Sequence, residues 1–108
     1  MSKEITRPAL AEALLSENPP MLFEALDRKY FDAGHIPTAR VLPPAEIDLV
    51  VPAQVAAKDA PIVVYCASDT CMNSHQAAAR LASQGYTNVA VYAGGKKDWS
   101  EAGLKLEK

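Results

Sequence analysis

The 108-residue chain is 49% hydrophobic and 22% charged, a length and composition that leave no room for two domains of ordinary size and predict one domain over residues 1–108. Its formal net charge of −2 and its scattered basic residues exclude an electrostatic surface for nucleic acid, so we expect no nucleic-acid partner. No apolar run approaches the roughly 20 residues that span a bilayer, and no apolar signal core follows the N-terminus, so we expect a cytoplasmic protein without a membrane partner.

The first predicted helix covers roughly residues 7–16. Thr6 precedes it as a candidate cap and Pro8 lies in its first turn, where proline is tolerated. Leu10 falls on its apolar face, and the pair Pro19-Pro20 prevents any continuation. The N-terminal segment is therefore predicted to be one short amphipathic helix.

Two short apolar runs follow, residues 21–23 and residues 39–42, and each is bounded by polar or proline-containing sequence. The first predicts a buried strand that ends in a polar loop, and the second predicts another strand. Between residues 46 and 57 the apolar residues have no clean period and Pro52 interrupts any helix. Only short helical turns are expected there.

Residues 62–66 form the strongest predicted strand, because this β-branched run is apolar on both faces, as in a central parallel strand. A helix follows, with Asn73 or Ser74 as its cap, Gln76 placed for a capping-box contact with Asn73, and Gly85 just past its end. Small apolar residues on this helix predict close packing against the sheet.

The last predicted elements are a buried strand over residues 89–92, a turn at Gly94-Gly95, and a helix that carries the core residue Trp99 and ends at Gly103. Strands that alternate with helices predict an α/β fold. We expect a doubly wound, mostly parallel central sheet with helices on both faces.

Cys66 lies where the central predicted strand ends, at the sheet edge at which parallel α/β proteins bind ligands. Loop amides and the following helix terminus are expected to stabilise an anion there, which would lower the pKa of Cys66 and favour the nucleophilic thiolate. A buried cysteine without chemistry explains its position equally well, because free cysteine is among the most buried residue types.

Four segments occur in an order and spacing that identify a family resemblance: residues 31–39 (FDAGHIPTA), 62–66 (IVVYC), 85–89 (GYTNV) and 92–95 (YAGG), with Trp99 four residues later. Together they resemble the rhodanese homology family over nearly the whole chain. The resemblance implies the rhodanese-like fold and makes Cys66 the sulfur-accepting catalytic cysteine. It also implies a substrate-binding loop composed of Ala67, Ser68, Asp69, Thr70, Cys71, Met72 and Asn73.

The resemblance further implies an enzyme with thiosulfate sulfurtransferase activity, or a carrier of sulfane sulfur. A small-molecule donor such as thiosulfate would load Cys66 as a persulfide, and a thiol or protein acceptor would unload it. We expect no cofactor and no metal, because the sequence lacks a four-ligand cluster of cysteine and histidine. A monomer or a weak homodimer is expected.

The loop departs from the family pattern. Seven residues separate Cys66 from Ser74, more than is usual, and the loop lacks the family's glycine and arginine. Since arginine normally binds oxyanions in such loops, we hypothesise that Lys96 or Lys97 partly replaces the missing charge; two solvated lysines at a helix start are the alternative.

The family's aspartate and arginine after the first core strand correspond here to Glu24 and Leu26. The acid at Glu24 is expected to be structural, without its usual arginine partner. A backbone hydrogen bond is the expected role of His35. His75 is expected to be an exposed residue in the first helical turn.

Cys71 leaves two interpretations open. It either attacks an oxidised or persulfidated Cys66, or receives the sulfur in relay, or it is a thiol that fills the loop without a redox role. Two other functions are therefore alternatives to sulfur transfer: a thiol redox protein that uses Cys66 and Cys71, and a noncatalytic rhodanese-like binding module.

Overall fold

Five strands and five α-helices alternate along the chain in a computed structural model that describes residues 3–108. The strands are β1 (Lys3–Glu4), β2 (Met21–Glu24), β3 (Arg40–Val41), β4 (Ile62–Tyr65) and β5 (Val89–Tyr92). The helices are α1 (Arg7–Leu14), α2 (Arg28–Ala33), α3 (Ile47–Gln54), α4 (Asn73–Ser83) and α5 (Gly95–Glu101), and a 3₁₀ turn (Pro44–Glu46) precedes α3.

The strands form one sheet in the order β1-β5-β4-β2-β3, and every pairing is parallel. In the centre, Val64 of β4 is in register with Phe23 of β2 and with Val91 of β5. The first strand from the chain start, β1, pairs with β5 and was not predicted. This arrangement confirms the predicted parallel α/β sheet.

Side chains of the central strand alternate between two apolar layers, as the period of a strand requires. Val63 and Tyr65 pack with Leu10 of α1 and Trp99 of α5. On the other face, Val64 joins a core to which α3 and α4 contribute Ile47, Val51, Ala77, Ala78 and Leu81. Helices therefore cover both faces of the sheet, as predicted.

The first helix is shorter than predicted, since it ends at Leu14 instead of Ser16. Its start is confirmed: the Ala9 amide donates to the Thr6 hydroxyl at 3.3 Å, which caps the helix. Leu10 is fully buried, whereas Leu15 is almost fully exposed. The last predicted turn has no core contact to stabilise it.

Two helices contradict the expectations for the middle of the chain. The segment after β2 is not only a polar loop, because α2 begins four residues beyond the strand. Pro52 does not prevent a helix, since it lies inside α3. Ile47 and Val51 are one turn apart and both buried, so their packing outweighs the hydrogen bond that proline cannot donate. Within residues 3–108, no helix is long and apolar enough to cross a membrane.

Candidate active site

Cys66 is the first residue after β4, at the carboxyl end of the middle strand of the sheet. Its carbonyl oxygen accepts a hydrogen bond from the Lys96 amide at 3.0 Å, and the Ala67 carbonyl accepts one from the Lys97 amide at 2.9 Å. The start of α5 is thereby joined to the start of the loop. Backbone contacts from a second element thus fix the position of Cys66.

Gly95 makes this close approach possible. Its φ of +67° is in the left-handed region, and a Cβ atom added there would lie 2.5 Å from the Cys66 carbonyl oxygen. Any other side chain would strain the backbone and collide with the loop. The predicted Gly94-Gly95 turn is therefore part of the wall of the candidate site.

The loop after Cys66 folds back on itself. The Cys71 amide donates to the Ser68 carbonyl at 3.1 Å, which closes a tight turn, and the Ser68 and Thr70 hydroxyls are 3.0 Å apart. The turn carries Cys71 onto Cys66, and the two residues form a disulfide with a Cα–Cα distance of 6.2 Å. Two of the predicted site residues are thus brought into direct contact.

The loop retains free backbone donors in this disulfide form. Within residues 3–108, the amides of Ser68, Asp69, Thr70 and Met72 donate to no backbone carbonyl. Cys66 itself is only 1% exposed, and its sulfur is bonded to Cys71. Because a disulfide sulfur does not titrate, the lowered pKa of Cys66 remains a prediction for the reduced protein.

Asn73 is held by a contact outside its helix, and the capping predictions for it and for Ser74 are wrong. Helix α4 begins at Asn73 itself, and Met72 precedes it in a helical conformation without a side-chain cap. The Asn73 side-chain amide instead donates to the Ala25 carbonyl at 3.1 Å, so the predicted capping box with Gln76 does not form. This bond joins the end of the loop to the segment after β2.

A buried polar network lies beneath the loop. Glu24 is fully buried, accepts a hydrogen bond from the Tyr65 hydroxyl at 2.8 Å, and lies 3.2 Å from the Lys96 ammonium. The Ile36 amide donates to the same hydroxyl at 3.0 Å. Burial, reinforced by the Glu24 charge, raises the pKa of Tyr65 far above its ordinary value, so the phenol remains protonated and continues to donate.

The Lys96 side chain binds away from the loop, in contacts that the sequence did not predict. Its ammonium donates to Glu24 Oε2, to the Tyr30 carbonyl at 2.8 Å and to the Gly34 carbonyl at 2.8 Å. An ammonium has three donors, and all three are used here. The Lys96 ammonium therefore has no donor left for the loop, and its effect on the charge at Cys66 stays a prediction. The expectation of a solvated side chain is wrong, because this one is 15% exposed.

The partner of Glu24 was missed because it comes from a distant part of the chain. The family's arginine position is occupied by Leu26, so the sequence showed that the acid lacked its usual cation. It also showed a lysine directly after the Gly94-Gly95 turn, on the same sheet edge. Those two observations together are the signal that could have found the Glu24–Lys96 pair.

Lys97 remains a candidate cation. It is exposed and lines a pocket of about 140 Å³ beside the loop, together with Asp69, Asp98 and Glu101. Three carboxylates therefore share this pocket with one ammonium. The proposed role of Lys97 toward the loop stays a prediction.

The two histidines have different surroundings. His35 Nδ1 is 3.1 Å from the Phe31 carbonyl, and its ring stacks on Phe31 with a centroid distance of 3.9 Å. This contact confirms the predicted backbone hydrogen bond. His75 lies in the first turn of α4 and is partly buried instead of exposed.

Comparison with known proteins agrees with this geometry. The sequence model of the rhodanese-like domain family matches residues 7–102. The chain is 31% identical to a thiosulfate sulfurtransferase from Pseudomonas aeruginosa, with a TM-score of 0.88 over 98% of this chain and 20% of that chain. No curated protein matches it.

Two further solved structures are similar over most of their own length. A human single-domain sulfurtransferase is 26% identical, with a TM-score of 0.79 over 94% of this chain and 97% of that chain. A rhodanese from E. coli, solved with anions, is 28% identical, with a TM-score of 0.65 over 73% of this chain and 89% of that chain. By contrast, this chain spans about a fifth of the Pseudomonas aeruginosa protein. By sequence and by fold, the chain belongs to the rhodanese-like domain family, whose solved members include sulfurtransferases.

Proposed function

We propose that the chain is a sulfurtransferase in which Cys66 accepts sulfane sulfur as a covalent persulfide. One observation carries this proposal: the central strand delivers Cys66 to the carboxyl edge of the sheet, beside a loop in which the amides of Ser68, Asp69, Thr70 and Met72 donate to no backbone carbonyl. Donors of this kind are suited to an anionic sulfur, because they stabilise negative charge without supplying a proton.

The proposed loading step is a displacement at sulfur. With thiosulfate as donor, the Cys66 thiolate attacks the outer sulfur, a new S–S bond forms, and sulfite leaves with the electrons of the broken bond. The amides of Ser68, Asp69 and Thr70 would then hold the persulfide anion. A thiol or protein acceptor would complete transfer by attacking the outer sulfur and releasing the Cys66 thiolate.

Loading requires the reduced form of the loop. The disulfide to Cys71 occupies the Cys66 sulfur, and Cys66 is only 1% exposed in this form. Reduction frees both sulfurs, and the side chain of Cys71 can then move off Cys66 and admit a donor at the sheet edge. A reducing compartment such as the cytoplasm would keep this pair open between turnovers.

The test uses fully reduced protein from which the reductant has been removed. The protein is incubated with thiosulfate, and its intact mass is measured by mass spectrometry. We expect the reduced chains to release sulfite as Cys66 takes up one sulfur atom, a gain of about 32 Da that persists only where no thiol removes the sulfur. The matched variants are Cys66→Ser, which removes the acceptor, and Cys71→Ser, which retains it. We expect no gain in the first and a gain in the second.

A noncatalytic binding module predicts a different outcome, because neither the wild type nor Cys71→Ser would release sulfite or gain mass. An adduct that persists in Cys66→Ser would place the sulfur elsewhere. Either result would contradict the proposed function.

A further inference from the structure

We infer that Cys71 is a second catalytic residue, an internal thiol that discharges the Cys66 persulfide as hydrosulfide and leaves the Cys66–Cys71 disulfide. This inference rests on the proposed function, since it concerns the fate of the persulfide. It extends that function from sulfur transfer to sulfide release.

The geometry of the loop carries the argument. The turn closed by the Cys71 amide and the Ser68 carbonyl brings the two cysteines to a Cα–Cα distance of 6.2 Å, well within the range that disulfides bridge. β4 ends before the loop and α4 begins after it, so the pair closes without disturbing either element. Cys66 and Cys71 are also the only cysteines of the sequence.

Proximity gives Cys71 an advantage over external acceptors. A thiol on the same short loop meets the persulfide at an effective concentration far above that of a free thiol in solution. The side chain of Cys71 is partly buried against Cys66, whereas Cys66 is almost fully buried. Cys71 is therefore already in contact with Cys66, whereas an external acceptor must first reach a buried residue.

The contact also selects which sulfur is attacked. Cys71 Sγ meets Cys66 Sγ itself, the inner sulfur of the persulfide. Attack there forms the Cys66–Cys71 bond, breaks the bond to the outer sulfur, and expels that sulfur as hydrosulfide with its electron pair. Attack on the outer sulfur would instead move the persulfide to Cys71.

The step balances without an external oxidant. The thiol proton of Cys71 leaves with the hydrosulfide, the sulfane sulfur is reduced to sulfide, and the two cysteine sulfurs are oxidised to the disulfide. A second turnover requires a dithiol reductant, which reopens the disulfide and becomes a cyclic disulfide itself. The proposed co-substrate class is therefore a dithiol, for which dithiothreitol is the probe.

The experiment separates loading from discharge. Reduced protein without reductant receives thiosulfate, and sulfite, sulfide and intact mass are followed together. In the wild type we expect sulfite and sulfide in equal amounts, approaching about one per chain, and a final mass about two units below the reduced protein. In Cys71→Ser we expect sulfite release, at least about tenfold less sulfide, and a persistent gain of about 32 Da.

The outcomes distinguish the two proposals. If the wild type and Cys71→Ser both keep the added sulfur and release sulfide equally slowly, Cys71 is not the internal acceptor, and the persulfide proposal stands. Without sulfite release from either protein, the persulfide proposal itself fails.

If Cys71→Ser does not fold, peptide mapping of the wild type still tests the inference. Peptide mapping of the wild type after one turnover must then find a Cys66–Cys71 disulfide in proportion to the sulfide released. Sulfide release without that disulfide would overturn the inference. Addition of dithiothreitol should restore the reduced mass and permit a second round of sulfite release.

Discussion

At the scale of single residues, Glu24, Tyr65 and Lys96 form a hydrogen-bonded network, and Tyr65 directly precedes Cys66 at the end of the central strand. A buried carboxylate is costly unless it is paired and hydrogen-bonded, and Glu24 is both, through the Tyr65 hydroxyl and the Lys96 ammonium. The Lys96 amide also holds the Cys66 carbonyl. One residue therefore neutralises the buried acid with its side chain and positions Cys66 with its backbone.

Lys96→Met is expected to lower the free energy of unfolding by about 3–5 kcal/mol, because it leaves the Glu24 charge buried without its cation. The double variant Glu24→Gln with Lys96→Met is expected to recover much of that loss. Urea denaturation at pH 7 measures both.

The control is a surface ion pair of the same kind, Asp48 with Arg80, whose side chains are more than half exposed. Arg80→Ala is expected to cost much less than Lys96→Met, because solvent screens exposed charges. Equal losses in Lys96→Met and Arg80→Ala would show that the buried pair carries no special weight.

At the scale of elements, the start of α5 fits against the start of the loop that follows Cys66. The hydrogen bonds from the Lys96 and Lys97 amides require Gly95 to pass within a distance of Cys66 that no Cβ atom permits. Gly103, just beyond the other end of α5, also has a positive φ of +86°, but a Cβ atom there would meet nothing within 4 Å. Both glycines have a φ that strains other residues, but only at Gly95 would an added Cβ atom collide with a neighbouring segment.

Gly95→Ala is expected to lower the free energy of unfolding by more than about 2 kcal/mol, from left-handed strain together with the collision against Cys66. Gly103→Ala is expected to cost about 1 kcal/mol, from strain alone. Urea denaturation gives the comparison, and sulfite release gives a second one, since only Gly95→Ala displaces Cys66. Indistinguishable behaviour of the two variants would refute the close fit.

The element boundaries show which parts of this fold a sequence reveals. The central strand and the helix cap at Thr6 were predictable, because β-branched runs and capping hydroxyls are local signals. The helix containing Pro52 was not, since its stability comes from Ile47 and Val51 packing against distant residues. In the site, the position of Cys66 followed from its strand, but the partner of Glu24 depends on a contact across 72 residues.

At the scale of the whole molecule, distant parts of the chain are joined on one face of the sheet. Arg7 of α1 donates to both carboxylate oxygens of Asp98 in α5 at 2.9 Å, and the Tyr92 hydroxyl donates to the same group at 2.5 Å. Near the C-terminus, Glu107 exchanges two backbone hydrogen bonds with His35. These contacts join the first helix to the last helix, and the C-terminal segment to the residues around His35.

The contacts at Asp98 predict a pH dependence of the free energy of unfolding. The Tyr92 hydrogen bond, with help from Arg7, holds the pKa of the Asp98 carboxyl below its ordinary value despite partial desolvation. A carboxyl whose pKa is lower in the folded state contributes stability above its unfolded pKa, and that contribution is lost as the pH falls through the folded value.

Asp98→Asn is therefore expected to cost about 1 kcal/mol at pH 7, a modest loss because the side chain is 39% exposed. The difference from the wild type should shrink as the pH falls below about 4, where unfolded aspartate takes up its proton. Urea denaturation of both proteins between neutral and acid pH provides the measurement. A difference that stays constant, or grows, on acidification would contradict the assignment.

The most direct test of sulfur transfer to Cys66 is to locate the transferred sulfur atom. Reduced Cys71→Ser protein is treated with thiosulfate that carries a heavy isotope at its outer sulfur, the thiols are alkylated, and the peptides are sequenced by mass spectrometry. Sulfur transfer to Cys66 would place the isotope on that residue, bonded to its sulfur as a persulfide. Release of sulfite with the isotope on any other residue, or a Cys66 peptide that never carries it, would contradict persulfide formation on Cys66.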